Sequence, residues 1–321
     1  MGALAYWDWG GEPMRVTLLS GGVGGAKLAL GLYTVLPPGS LTLIANTGDD
    51  LSLFGLRICP DLDTLAYTLS GRVSEQQGWG VQGDAYSALE VTRELGGTGW
   101  FNLGDKDLGL HLFRTEALRA GQGLTEVTRR IVEALNLNCT LLPMCDQPVP
   151  THVLTDRGDL HFQEYLVRER TEPLVRGIRF RGVDRARPAP GIAEALEHSD
   201  LVILAPSNPL ISIAPILSVP GMRELLRAGR GHRVAVTPLV GGRSLKGPTD
   251  TMMTQLGLNV SPVTVAELYG DVIQRFVLDE VDAALEPQIT ALGVSCSVLP
   301  TVMSDLAAKQ LLARALLRLA V

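Results

Sequence analysis

The chain is 321 residues long, 46% hydrophobic and 19% charged, with a formal net charge of −6 and a pI near 5.4. Such a chain can bury a large core but lacks the basic balance of a general nucleic-acid binder, so any phosphate site has to be a local cluster. No apolar run reaches the roughly 18 residues of a membrane span, and Cys59, Cys139, Cys145 and Cys296 lack zinc spacing and read as reduced thiols of a cytoplasmic protein.

Residues 1–13 lack the basic start and apolar centre of a signal peptide and read as an irregular leader, with Met14 a candidate native start. An apolar run at 15–19 predicts the first strand. It enters Ser20-Gly21-Gly22-Val23-Gly24-Gly25-Ala26-Lys27 and then a helical stretch over 24–36. In a strand–turn–helix of this kind, backbone N–H groups and a helix N-terminus face an anion. Gly21, Gly22, Gly24 and Gly25 would let the backbone approach a phosphate. Lys27 stands out because the chain has only 4 lysines against 24 arginines. The turn matches neither the Walker A pattern nor the G-x-G-x-x-G dinucleotide pattern, and a tight turn without ligand is the plain alternative.

A second strand at 41–46 leads into Asn46-Thr47-Gly48-Asp49-Asp50, followed by Arg57 and Pro60-Asp61-Leu62-Asp63-Thr64 at the start of a helix over 61–70. Asp50 and Asp63, paired at the C-terminal edge of a parallel sheet, suit Mg²⁺. The alternative is a polar loop with Asp61 or Asp63 as a helix N-cap. Asp84 opens a helix over 84–95, and Leu103-Gly104-Asp105-Lys106-Asp107 precedes His111 and Arg114, with no helix predicted there. His111 alone reads as a structural histidine. A helix over 124–136 and a strand at 140–144 come next.

Residues 149–184 differ in pattern. Runs at 151–155, 160–167 and 178–183 around a turn at 156–159 predict an antiparallel hairpin or meander. Beyond it, strands at 201–205 and 233–237 each run into a polar loop. Ser207 and Asn208 offer hydrogen bonds in the first loop. The second, Gly241-Gly242-Arg243-Ser244-Leu245-Lys246-Gly247-Pro248, holds two cations that suit a polyphosphate. Further helices are predicted over 191–198, 249–256, 264–270 and 304–319, with a strand at 295–299. The alternation argues for a doubly wound, mostly parallel, Rossmann-like α/β sheet in one domain spanning 14–321, with a smaller α+β subdomain inserted at about 149–190. The four polar loops then share one sheet edge, where such folds bind ligands.

The ordered series of these motifs, with Gly78-Trp79-Gly80 and Leu141-Leu142-Pro143-Met144 added, resembles the 2-phospho-L-lactate transferase family of coenzyme F-420 biosynthesis, which includes phosphoenolpyruvate transferase members. The resemblance runs over about residues 14–321. It implies Mg²⁺-dependent transfer of a phospho-acid from a guanosine diphosphate-linked donor to the ribityl hydroxyl of the deazaflavin Fo, with release of GMP. It also implies that Gly21, Gly22, Gly24, Gly25, Lys27, Ser207, Asn208, Arg243 and Lys246 hold nucleotide and phosphates. Asp50 and Asp63 would hold the metal and act in catalysis, and Asp50, Asp84 and Asp105 would meet the deazaflavin. Lys106, Cys145 and Gln147 depart from the family pattern, in which Arg, Ser and Asp are usual. A homodimer is the expected assembly, with no nucleic-acid or membrane partner. Two rival readings are a nucleotide-sugar-binding regulator of the related gluconeogenesis-factor type and a nicotinamide dehydrogenase.

Overall fold

The computed structural model describes residues 8–9 and 12–320. Its centre is a sheet of seven strands: β1 Val16–Ser20, β2 Leu41–Ala45, β3 Thr140–Pro143, β4 Leu201–Leu204, β5 His232–Val236, β6 Arg275–Asp279 and β7 Ser295–Leu299. All neighbours are parallel and the spatial order is 3-2-1-4-5-6-7, so the chain reverses direction across the sheet between β1 and β4. This is the doubly wound topology that the alternating pattern predicts.

Both faces of the inner part of the sheet are covered, so those strands read as short, mostly apolar runs, whereas the edge strand β7 (Ser-Cys-Ser-Val-Leu) is partly exposed. The two-residue period still sorts them. Leu18, Leu43, Ile203, Val234 and Val277 pack on one face, against α1 (Gly22–Val35), α2 (Pro60–Leu69) and the C-terminal helix Leu306–Leu317. Leu19, Ile44, Val202, Ala235 and Phe276 pack on the other, against Leu196, Ile216, Leu226 and Val265. Gly31 lets α1 cross the C-terminal helix closely, because a Cβ there would lie 2.4 Å from the Lys309 carbonyl oxygen.

The connection from β2 to β3 is long. It holds a hairpin of Leu51–Leu53 with Leu56–Ile58, then α2, α3 (Ser87–Glu94), α4 (Asp105–Arg119) and α5 (Leu124–Ala134). After β3, Thr151–Thr155 forms the middle strand of a three-stranded antiparallel sheet with Gly158–His161 and Val175–Phe180. That sheet has its own small core around Val153, Phe162 and Tyr165.

The structure departs from the expected elements in several places. The expected strand at 160–167 ends at His161, and Glu164–Arg168 forms a π-helical turn. Strand β6 was not predicted, its apolar run Phe276-Val277-Leu278 being only three residues long. Helix α4 was not predicted either, because its polarity is inverted: His111 and Arg114 are buried, whereas Leu112 is 58% exposed. Of the leader expected over 1–13, the described residues Asp8–Trp9 and Glu12–Pro13 pair as a short antiparallel ribbon, and the rest lies outside the described residues.

Candidate active site

At the β1/β4 reversal the glycine turn and the loop after β4 face each other. Gly24 and Gly25 are required by close approach: an added Cβ would lie 2.5 Å from the Pro206 carbonyl oxygen at Gly24, and 2.2 Å from Ser20 Oγ at Gly25. Ser207 locks the turn, its hydroxyl donating to the Gly21 carbonyl at 2.7 Å and accepting from the Gly21 N–H at 3.3 Å. Asn208 Oδ1 accepts from the Leu210 N–H, which leaves Nδ2 buried with no partner among the described residues.

These groups border a cavity of about 250 Å³ whose wall includes Gly21, Gly22, Gly24, Lys27, Ser207, Asn208 and Lys246. Lys27 Nζ donates to the Met303 carbonyl at 3.2 Å, and Lys246 Nζ to the Gln77 carbonyl at 3.3 Å. Burial, then the charges of Lys246 and Lys309, lower the Lys27 pKa. A set of cations that repel one another in a glycine-lined pocket is suited to an anion.

Two of the expected phosphate contacts stand elsewhere. Gly25 serves helix–strand packing and lies outside the cavity wall, and Arg243 sits exposed on a short hairpin, Leu239–Val240 with Arg243–Ser244.

A second cavity, of about 460 Å³, adjoins the first along Gly22, Val23, Asp49 and Leu166. Trp79, Phe101 and Tyr67 give it aromatic walls, and Asp61, Asp63, Asp107 and His111 give it polar ones. Asp84 and Asp105, expected at the deazaflavin, lie outside both cavities. Each caps the other's helix instead. Asp84 accepts from the N–H groups of Lys106 and Asp107 at the start of α4, and Asp105 from those of Ser87 and Ala88 at the start of α3.

The four aspartates after β2 fall into two kinds. Asp50 and Asp63, expected as the metal pair, are each matched to a buried or half-buried arginine. Asp50 Oδ2 accepts from Arg57 at 2.9 Å and from the Cys59 thiol at 3.0 Å, and Asp50 lines neither cavity. Burial raises its pKa against the opposing pull of Arg57. Asp63 takes a two-pronged contact from Arg114, which is 1% exposed.

Asp49 and Asp61 have no such cation. Asn46 Nδ2 donates to both, at 3.1 Å and 2.9 Å, and Asp61 Oδ1 accepts from the Gly22 N–H at 2.7 Å, at the N-terminus of α1. Burial, with Asp61 beside it, pushes Asp49 well above the usual carboxylate range, and burial carries Asp61 to about 6 against the hydrogen bonds of Asn46 and Gly22. An unneutralised buried carboxylate pair beside a phosphate-type turn fits a divalent cation. Asp49 and Asp61 are thus the carboxylates left free of a cationic partner, whereas Asp50 and Asp63 have their charges already matched by Arg57 and Arg114.

Asp49 and Asp61 stand in the two motifs that the sequence singles out, but nothing local in the sequence orients their side chains. Tyr67, Phe101 and Asp107 were missed as cavity residues. Only the Gly-Trp-Gly around Trp79 carried a visible signal.

Similarity to known proteins shows the family. The model of the family described as 2-phospho-L-lactate transferase CofD matches residues 16–293. The phosphoenolpyruvate transferase of Streptomyces griseus is 39% identical over 313 residues, covering 96% of this chain and 98% of its own. The 2-phospho-L-lactate transferase of Methanosarcina mazei is 39% identical over 288 residues, covering 90% and 94%. Among solved structures, a UPF0052 family protein from Bacillus halodurans has a TM-score of 0.64 at 16% identity, covering 95% of this chain and 99% of its own, which shows the fold alone. The glycine turn, the Asp-rich loop and the whole-chain match therefore place this protein in the CofD family of 2-phospho-L-lactate transferases, as an enzyme of the transferase class.

Proposed function

We propose that the protein transfers a 2-phospholactyl or enolpyruvyl phosphate group from a guanosine diphosphate-linked donor to the terminal ribityl hydroxyl of the deazaflavin Fo. The hydroxyl oxygen bonds to the phosphorus that carries the acid, the bond from that phosphorus to the bridging oxygen breaks, and GMP leaves. The product is coenzyme F-420-0 or its dehydro form. The observation that carries this reading is the pair of adjoining cavities, one cationic and one aromatic, which share Gly22, Val23, Asp49 and Leu166 as a common wall. A donor's diphosphate suits the first cavity and a flat heterocycle the second, so the reacting phosphorus and hydroxyl would meet at that wall.

Phosphoryl transfer asks for positioning and charge neutralisation more than covalent chemistry. Lys27 and Lys246 would hold the diphosphate, the Asn208 amide would donate to it, and the glycine turn would let it approach the start of α1. Asp49 and Asp61 would hold Mg²⁺, which supplies charge neutralisation at the phosphates. Asp50, fixed by Arg57 and by His161 Nε2 at its backbone carbonyl (3.1 Å), would orient the loop that presents Asp49.

Product mass spectrometry tests the reading. Enzyme, Fo, Mg²⁺ and each guanylyl donor in turn should give a new deazaflavin species together with GMP, and the masses of the lactyl and enolpyruvyl products differ by two hydrogens. Tight binding of a uridine sugar with none of GDP would overturn it.

A further inference from the structure

The aromatic cavity holds a hydrogen-bond donor without an acceptor. Arg114 is fully buried and grips Asp63, and its Nη1 also lies 3.4 Å from His111 Nδ1. Arginine has no acceptor, so in this contact it is Nδ1 that offers its lone pair, and the ring then carries a hydrogen on Nε2. That Nε2 is buried and makes no hydrogen bond among the described residues. Asp107 Oδ1 lies 3.4 Å away but outside hydrogen-bond geometry, its close contact being the Tyr67 hydroxyl at 2.7 Å. Leaving a buried donor unmade is costly, and a ligand that brings an acceptor removes the cost.

Asp107 stands one turn earlier on α4 and lines the same cavity with a side chain that is 16% exposed. A carboxylate has about four lone-pair sites, so Tyr67 leaves it with capacity to spare. One wall of a cavity with aromatic sides thus presents an acceptor and a donor side by side. The chemical group that complements this pair is an N–H next to a C=O, the imide edge of a flat ring.

We propose that Asp107 and His111 read the imide edge of a heterocycle in this cavity, Asp107 accepting from the ring N–H and His111 Nε2 donating to the neighbouring carbonyl oxygen. This rests on the acceptor reading above, because the pyrimidinedione ring of a deazaflavin carries that edge. The pair sets which heterocycle is admitted, and His111 is then a ligand-binding residue rather than the structural histidine that its isolated place in the sequence suggests.

Fluorescence titration of the full chain with Fo, and with Fo methylated at the imide nitrogen, tests this. Wild-type protein should bind the methylated ring roughly ten- to a hundredfold more weakly. His111→Leu should weaken Fo binding by about tenfold, and His111→Gln, whose amide keeps a donor near the Nε2 position, should restore most of it. Equal binding of the two ligands by the wild type, or unchanged Fo affinity in a folded His111→Leu protein, would overturn the inference and leave the acceptor reading standing. Absence of Fo binding by the wild type would overturn that reading and the inference with it. The methylated-ligand arm needs no variant, so a variant that fails to fold does not remove the test.

Discussion

Asp61→Asn separates a carboxylate built to meet a cation from one that merely caps a helix. In the folded protein, burial lifts the Asp61 carboxyl from its ordinary 3.8 to about 6, against the hydrogen bonds from Asn46 and Gly22. The folded state therefore binds more protons than the unfolded chain between those two values, and stability is lost as pH rises through that window. At about 1.36 kcal/mol per pH unit, the gap costs the protein about 3 kcal/mol at pH 8. Asparagine removes that cost but can accept only one of the two hydrogen bonds, a loss of about 1 kcal/mol. Urea denaturation should then find the variant about 2 kcal/mol more stable than wild type near pH 8, and level or slightly less stable near pH 4. Added Mg²⁺ should raise wild-type stability near pH 8 and do far less for the variant. A stability difference that is the same at both pH values would refute the reasoning, because a cap lost without a buried charge has no such pH dependence.

Other substitutions test the remaining assignments. Arg114→Met strands Asp63 as a buried charge and should cost about 3–5 kcal/mol in denaturant unfolding, most of it recovered when Asp63→Leu is added; a purely additive double variant would remove the pair from the account. Asp84→Ala should cost about 1 kcal/mol through the lost cap on α4 while leaving GDP affinity, measured by calorimetry, unchanged. Lys246→Ala should weaken GDP binding by about fivefold at low salt, with the difference shrinking as salt rises.

The sheet was legible because buried parallel strands are short apolar runs, and the glycine turn was legible because close approach to Pro206 and Ser20 excludes any side chain. Helix α4 was hidden by its own chemistry. Its inward face carries His111 and Arg114 while Leu112 points to solvent, so apolar periodicity has nothing to detect. The site was half legible. Neighbours in a loop, Asp49 and Asp50, differ only in which way they face, and that is decided by Arg57, Cys59 and His161 contacts. The family resemblance implied Asp84 and Asp105 at the deazaflavin, and in sequence a carboxylate at a glycine turn serves a helix start and a ligand equally well. Only the packing of α3 against α4 shows that each caps the other. The aromatic cavity draws on Tyr67, Trp79 and Phe101 from separate segments, and no local pattern links them.

The claim that one cavity takes the nucleotide and its neighbour takes the acceptor is tested most directly by a crystal structure with GDP and Fo bound together. Diphosphate density is expected at Gly21, Gly22, Gly24 and Lys27, and the deazaflavin ring beside Trp79 and Phe101 with its ribityl end toward Gly22 and Asp49. A ring found among Thr237, Pro238 and Thr301 on the cationic side, or a diphosphate lying in the aromatic cavity, would contradict it.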